Sequence, residues 1–190
     1  MICVLRHFHH AAALLLIALL PLSACAEQAF EVAEESSTRM TINEAIPGTV
    51  VGDDALSLAP QPTLADLDAW AAAGVTTVIN MRSMAEIDAL PFDEAAEVTK
   101  RGMTYVVIPM GGADGVSPDI VQALGLTLDN AAGKVVAHCR SGTRAAHAYG
   151  ALLVSRGDLE REALDDSLGW TAPLSQGTLD ALLGAPMAGE

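Results

Sequence analysis

Positive charge is scarce in this chain. Ten Lys and Arg stand against 24 Asp and Glu, a formal net charge of −14. A surface so acidic repels phosphodiester backbones, which argues against a nucleic-acid partner. It also makes any local basic cluster informative, because the cluster opposes the background. Histidine is sparse too. Only His138 and His147 lie beyond the first ten residues, and no spacing of acids around them forms a metal-ligand set. No cofactor is implied. Cysteine is limited to Cys3, Cys25 and Cys139, too few for a disulfide framework. No internal repeat is present.

The longest apolar stretch, "AAALLLIALLPL", is about 12 residues and too short for an ordinary membrane span. It follows Arg6 and three His residues and leads into "LSAC" at 22–25. This arrangement resembles a bacterial lipoprotein signal, cut before a cysteine that then carries lipid. The resemblance implies a signal peptide over 1–24, lipidation of Cys25, and an anchor in the bacterial cell envelope. The absence of Asp after that cysteine implies the outer membrane, with the domain facing the periplasm. Several acyl chains would hold the protein stably where one would not. Residues 25–45 are polar and acidic and read as a flexible tether. Cys139 is then a lone thiol in an oxidising compartment, where it needs burial or a task.

From 46 to 187 strand and helix signals alternate. "GTVVGD" (48–53), "VTTVINM" (75–81), "MTYVVIP" (103–109) and "KVVAH" (134–138) read as strands. Thr63 caps a helix to Ala73, with Leu64, Leu67 and Ala71 on its apolar face and Gly74 as the stop. Residues 84–100 are helical with a break at Pro91. Ser117 and Pro118 open a helix carrying Ile120, Val121, Leu124 and Leu128, with Gly133 as its end. A helix runs from Arg144, and one or two more fill 158–184. The pattern predicts an α/β domain with a mainly parallel sheet flanked by helices. In such sheets ligands sit beyond the carboxyl ends of the strands.

Cys139 stands at one such end, in "HCRSGTR". A helix N-terminus offers free N–H groups and partial positive charge. A glycine-bearing loop curled there makes a nest for an oxyanion. The backbone amides of Arg140, Ser141, Gly142 and Thr143 are the expected donors. Arg144 can hold two oxygens at once. A dipole and a neighbouring guanidinium both favour the thiolate form of a cysteine placed there. Together these make a nucleophile with built-in charge stabilisation.

The strand-plus-loop resembles the catalytic segment of cysteine-based phosphatases. With "QPTLADLDAWAAAGVTTVINMR" (61–82), "YVVIPM" (105–110) and "VVAHCRSGTRAA" (135–146), it is similar to the beta-lactamase hydrolase-like, phosphatase-like domain family over about residues 46–157. The resemblance implies a dual-specificity-phosphatase-like fold. It also implies hydrolysis of a phosphorylated or other small anionic substrate, with Cys139 as nucleophile and Arg144 as clamp. Asp114, in the loop before the helix preceding the catalytic strand, takes the place of the general acid. A turn-forming Asp beside Gly115 is the plainer reading. Asp119 is explained by the helix dipole alone. His138 is expected to fix the loop by hydrogen bonding, and His147 to be an ordinary helix residue. Arg82 either supports the site or pairs with Glu86 at i+4.

Two departures bear on the reaction. Four residues, not five, separate Cys139 from Arg144, a length typical of rhodanese sulfurtransferases. Ala145 stands where phosphatases usually place a hydroxyl that helps the thiolate leave. A persulfide-carrying sulfurtransferase and a non-catalytic anion-binding module are therefore the rival readings. No "GHIPGA"-like stretch of the rhodaneses follows "VINMR".

Overall fold

The computed structural model describes residues 41–42, 50–51, 56–168, 170 and 172–184. The signal peptide and Cys25 lie outside them. Six strands form one sheet in the order β1-β2-β3-β6-β4-β5. They are β1 (Thr41–Ile42), β2 (Val50–Val51), β3 (Leu56–Ala59), β4 (Val75–Asn80), β5 (Thr104–Val107) and β6 (Lys134–His138). β3, β6, β4 and β5 run parallel, while β1 and β2 add an antiparallel edge. The expected mainly parallel sheet is what forms. Thr41–Ile42, inside the stretch read as a tether, pairs with β2. β3, the short run "LSLA", carried no strand expectation, although all its residues are buried.

The helices are α1 (Leu64–Ala72), α2 (Met84–Asp88), α3 (Glu94–Lys100), α4 (Pro118–Asn130), α5 (Thr143–Arg156), α6 (Leu164–Leu168) and α7 (Gln176–Leu183). Thr63 caps α1 with a reciprocal box to Asp66, and Gly74 follows at φ +83°. Its inner face differs from the expected one. Leu67 and Trp70 are buried, whereas Leu64 is 43 % exposed. Leu64 is the first helical residue, while Trp70 lies one turn beyond Leu67 and so shares its face. α4 ends at Asn130, before Gly133, because Ala131 leaves helical geometry at ψ 134°.

Two cores lie on opposite faces of the sheet. α1 and α3 cover one face, packing Leu67, Trp70 and Val98 on Val78 and Val136. α4, α5 and α7 cover the other, packing Leu124, Leu152 and Leu179 on Leu58, Ile79 and Ala137. α5 is buried continuously from Ala145 to Leu153. A helix apolar all round belongs inside a fold, and this one lies between the sheet and the outer helices. Its small residues permit that. A Cβ on Gly150 would come within 3.1 Å of Leu174 and 3.2 Å of Leu168.

The parallel strands bring their carboxyl ends to one edge. Ala59, Asn80 and His138 stand side by side in register, with Val107 beyond Asn80. The segments that follow therefore gather there, carrying Gln61, Arg82, the 111–115 loop and Cys139. The site depends on α5 being held against the sheet by α4. Leu124→Ala should empty a fully buried position between them and cost about 2–5 kcal/mol. An unchanged urea midpoint would show that this contact does not carry the packing.

Candidate active site

β6 ends at His138, and α5 begins at Thr143, so the loop spans four residues after the strand. Its tight curl needs Gly142, which caps α5 at φ +89°, in the left-handed region. Two further contacts exclude a side chain there. A Cβ would fall 2.6 Å from Trp170 Cη2 and 3.3 Å from the Ala59 carbonyl. The Trp170 ring thus backs the loop, a contact that sequence spacing does not reveal.

The Gly142 N–H donates to Cys139 Sγ at 3.1 Å. Cys139 is free and wholly buried, with 0 % exposure. The thiol lies at the base of the loop, beneath the Gly142 amide. Arg140 O accepts from Gln61 N at 3.2 Å, fixing the loop's second residue to the segment after β3. The Ser141 and Thr143 hydroxyls lie 3.2 Å apart and share a hydrogen bond. Ala145 is fully buried in the α5 core.

Arg144 is held on two sides. Nη1 and Nη2 donate to Glu86 Oε2 and Oε1 at 2.6 and 2.9 Å, and Nη1 also donates to Met110 O at 2.8 Å. Glu86 is the residue that sequence reasoning undervalued. It appeared only as an i+4 partner for Arg82, and that contact is long, at 3.8 Å. Its readable signal was the "SMAE" capping box at 83–86. Oε2 accepts from Ser83 N at 3.0 Å and Ser83 Oγ at 3.1 Å, closing that box. The Arg144 hydrogen bond, opposed by partial burial, holds the Glu86 carboxyl down at about 2. Glu86 thus stays ionised at any ordinary pH. Arg82 belongs to the same chain of contacts, with Nη1 donating to Gln61 Oε1 at 2.8 Å.

Asp114 is exposed, and its Oδ2 accepts from Met84 N at 2.8 Å. Its loop borders the clamp. The Cβ position of Gly111 lies 3.8 Å from Arg144 Cδ, and that of Gly112 lies 3.5 Å from Ser83 Cβ.

The His138 ring is fully buried, and a hydrogen bond with the Cys139 backbone partly offsets that burial. The ring lies on the opposite face of the sheet from the Cys139 side chain. The reason is strand alternation: successive side chains point to opposite faces. Cys139 joins the α4–α5 core, whereas His138 faces Trp70, with ring centroids 6.3 Å apart. There it meets Glu94, Nε2 to Oε1 at 3.4 Å. Burial pushes His138 down to about 3, so the ring is neutral and the contact is no ion pair. Burial also pushes Glu94 up, against hydrogen bonds from Tyr105, Asn80 and Gln61 that hold it down. His147 is a fastening within the fold. Its Nδ1–H donates to Thr143 O at 2.8 Å, and Nε2 accepts from Ser175 N at 2.7 Å, which sets the tautomer.

Removing the charge of Glu86 should loosen the clamp. Glu86→Gln should weaken binding of a tetrahedral oxyanion such as tungstate by about 10–100-fold, the share of one charge-assisted hydrogen bond. Equal affinity in calorimetry would mean that Arg144 needs no such support. A second expectation concerns acid stability. Between about 6.5 and about 3 the unfolded chain protonates His138 while the folded chain does not. Stability is therefore lost as pH falls through that window. Glu94, raised on folding, works in the opposite sense, so the His138 share is read by difference. His138→Gln should lose less stability than the wild type between pH 6.5 and 4.5 in urea titrations. Parallel curves would assign the acid sensitivity elsewhere.

Known proteins of related shape share this architecture. A Neisseria meningitidis protein of proposed phosphatase activity aligns over 70 % of this chain and 95 % of its own, with TM-score 0.58 and 23 % identity. PTPMT1, solved with PI(5)P, aligns over 70 % of this chain and 90 % of its own at TM-score 0.59 and 18 % identity. P. aeruginosa TpbA, solved with pTyr, aligns over 81 % and 99 % at TM-score 0.55 and 16 % identity. By sequence, the beta-lactamase hydrolase-like protein of Agrobacterium fabrum is 32 % identical over 116 residues, 60 % of this chain and 27 % of that protein. A Xylella fastidiosa namesake is 29 % identical over 115 residues, 60 % of this chain and 26 % of its own. The chain thus spans about a quarter of the length of these relatives. The matching family model covers residues 49–154, from β2 through most of α5. With that match, the chain belongs to the family of the beta-lactamase hydrolase-like protein, phosphatase-like domain.

Proposed function

We propose that this phosphatase-like domain hydrolyses a phosphomonoester through a phospho-cysteine on the Cys139–Arg144 loop. The observation that carries the reading is the pairing of Gly142 N–H with Cys139 Sγ beside a guanidinium held by Glu86. The loop admits phosphate. The Cys139 thiolate attacks phosphorus, and the bond to the leaving oxygen breaks as sulfur bonds. Arg144 and the loop amides take the charge of the equatorial oxygens. Asp114 gives its proton to the leaving oxygen. Water then attacks the phospho-cysteine, releasing inorganic phosphate and the thiolate. Ala145 offers that thiolate no hydroxyl, so this second step is the slower one, and product release shows a burst. We place the reaction at the bacterial cell envelope, with Cys25 lipidated and the domain facing the periplasm. The "LSAC" motif supports this placement.

The test is hydrolysis of 4-nitrophenyl phosphate by the freshly reduced protein. Cys139→Ser should abolish turnover. If the wild type itself turns over nothing, hydrolysis is wrong, and sulfur transfer from thiosulfate to cyanide by Cys139 is the next assay. Asp114→Asn separates two roles. A general acid matters most for a poor leaving group, so an alkyl phosphate should lose about 10²–10⁴-fold in kcat/KM, which reports the first step, and 4-nitrophenyl phosphate far less. Equal losses on both would reduce Asp114 to its bond with Met84.

A further inference from the structure

Among the described residues, one cationic side chain has no partner. Arg82, Arg101, Arg144, Arg156 and Arg161 each reach a carboxylate within 4 Å, as does Lys100. Lys134 donates to the Ala73 carbonyl at 3.1 Å. Arg140 alone among them has no hydrogen bond or ion pair from its guanidinium, and it is exposed. In a chain with 24 carboxylates, an Arg without one reflects its location. That location is the residue immediately after Cys139. Its main chain is tied down by Gln61 N, so the side chain projects from a fixed point on the rim of the nest. Arg144, by contrast, is already shared with Glu86.

We propose that the Arg140 side chain receives a second anionic group of the substrate. The substrate is then a phosphomonoester that also carries a carboxylate or another phosphate. This rests on the reading that the Cys139 loop binds phosphate. The loop amides and Arg144 suffice for one tetrahedral group. Arg140 adds an unneutralised fork outside that ring of amides, suited to bidentate contact with an oxyanion. Against a strongly negative surface, a lone cation at the rim also sets where a doubly anionic ligand approaches.

Three non-hydrolysable probes test the idea by calorimetry on the full chain in detergent: phenylphosphonate, 3-phosphonobenzoate and 1,3-benzenediphosphonate. The wild type should bind at least one doubly anionic probe about tenfold tighter than phenylphosphonate, a difference of about 1.4 kcal/mol. Preference for the second or the third probe tells carboxylate from phosphate. Arg140→Met should erase the tenfold ratio, and Arg140→Lys should keep part of it. No preference in the wild type, or the same ratio in Arg140→Met, overturns the proposal. Turnover of phenyl phosphate, measured in parallel, keeps the two readings apart. A lost ratio without turnover leaves Arg140 in its role and removes hydrolysis. Turnover with an unchanged ratio does the reverse. A wild type that binds none of the probes sinks both.

Discussion

The two-pronged bond between Glu86 and Arg144 is the constraint on which the rest of the site depends. α2 is only five residues long, too short to persist without tertiary support. It is held by its own capping box, by Asp114 on the Met84 amide, and by Arg144 reaching across from α5. The side chains of the pair remain 23 % and 29 % exposed, so its contribution to folding is about 0–1 kcal/mol. Its effect is geometric. A guanidinium gripped along one edge by both carboxylate oxygens, and on one nitrogen by the Met110 carbonyl, cannot rotate freely. Its orientation toward the loop is then set before any ligand arrives, and little ordering is left for binding to supply.

On the opposite face of the sheet lies a second polar centre of different character. Glu94 is 2 % exposed, and Asn80, Gln61 and Tyr105 all direct hydrogen bonds at it. A buried carboxylate would be costly without them. Asn80 also accepts from Arg82 N through Oδ1 at 2.9 Å. Gln61 bonds Glu94 with one end and Arg82 with the other. The two centres are thus continuous: Glu94 through Gln61 to Arg82, then through Glu86 to Arg144. Cys139 sits between them, directly after a strand whose last residue, His138, faces the Glu94 centre.

How far all this could be read in the sequence depended on range. The parallel strands, the capped helices and the nest residues are written in local signals, namely β-branched runs, Thr63, Ser117 and the Gly of the loop. The α1 face was misread because alternation and helical spacing give a stripe but not the partner that covers it. Glu94 gave no signal at all. An acid in the first turn of a helix is explained by the dipole, and only the sheet behind it makes it a buried acceptor. Trp170 is invisible for the same reason, since it meets Gly142 from a distant part of the chain. For His138 the local sequence did not tell which face its ring would take. Adjacency to Cys139 along the chain means only that the two side chains take opposite faces.

The burial of Cys139 follows from the same local rules and bears on how the site works. Gly142 N–H points at sulfur because the glycine adopts a left-handed turn, and Trp170 behind it leaves no room for that turn to relax outward. Arg140 is tied by its carbonyl to Gln61, and the Gly142 carbonyl starts the α5 ladder by accepting from Ala146 N at 3.0 Å. Between those two ties stands Ser141, exposed, its hydroxyl sharing a hydrogen bond with that of Thr143. An oxyanion entering there would offer the loop amides better acceptors than a covered sulfur. In the proposed reaction, the ligand's own binding energy would then displace the Gly142 amide from sulfur only when the target is in place. For a lone thiol that would otherwise be open to oxidation, that order of events is itself protective.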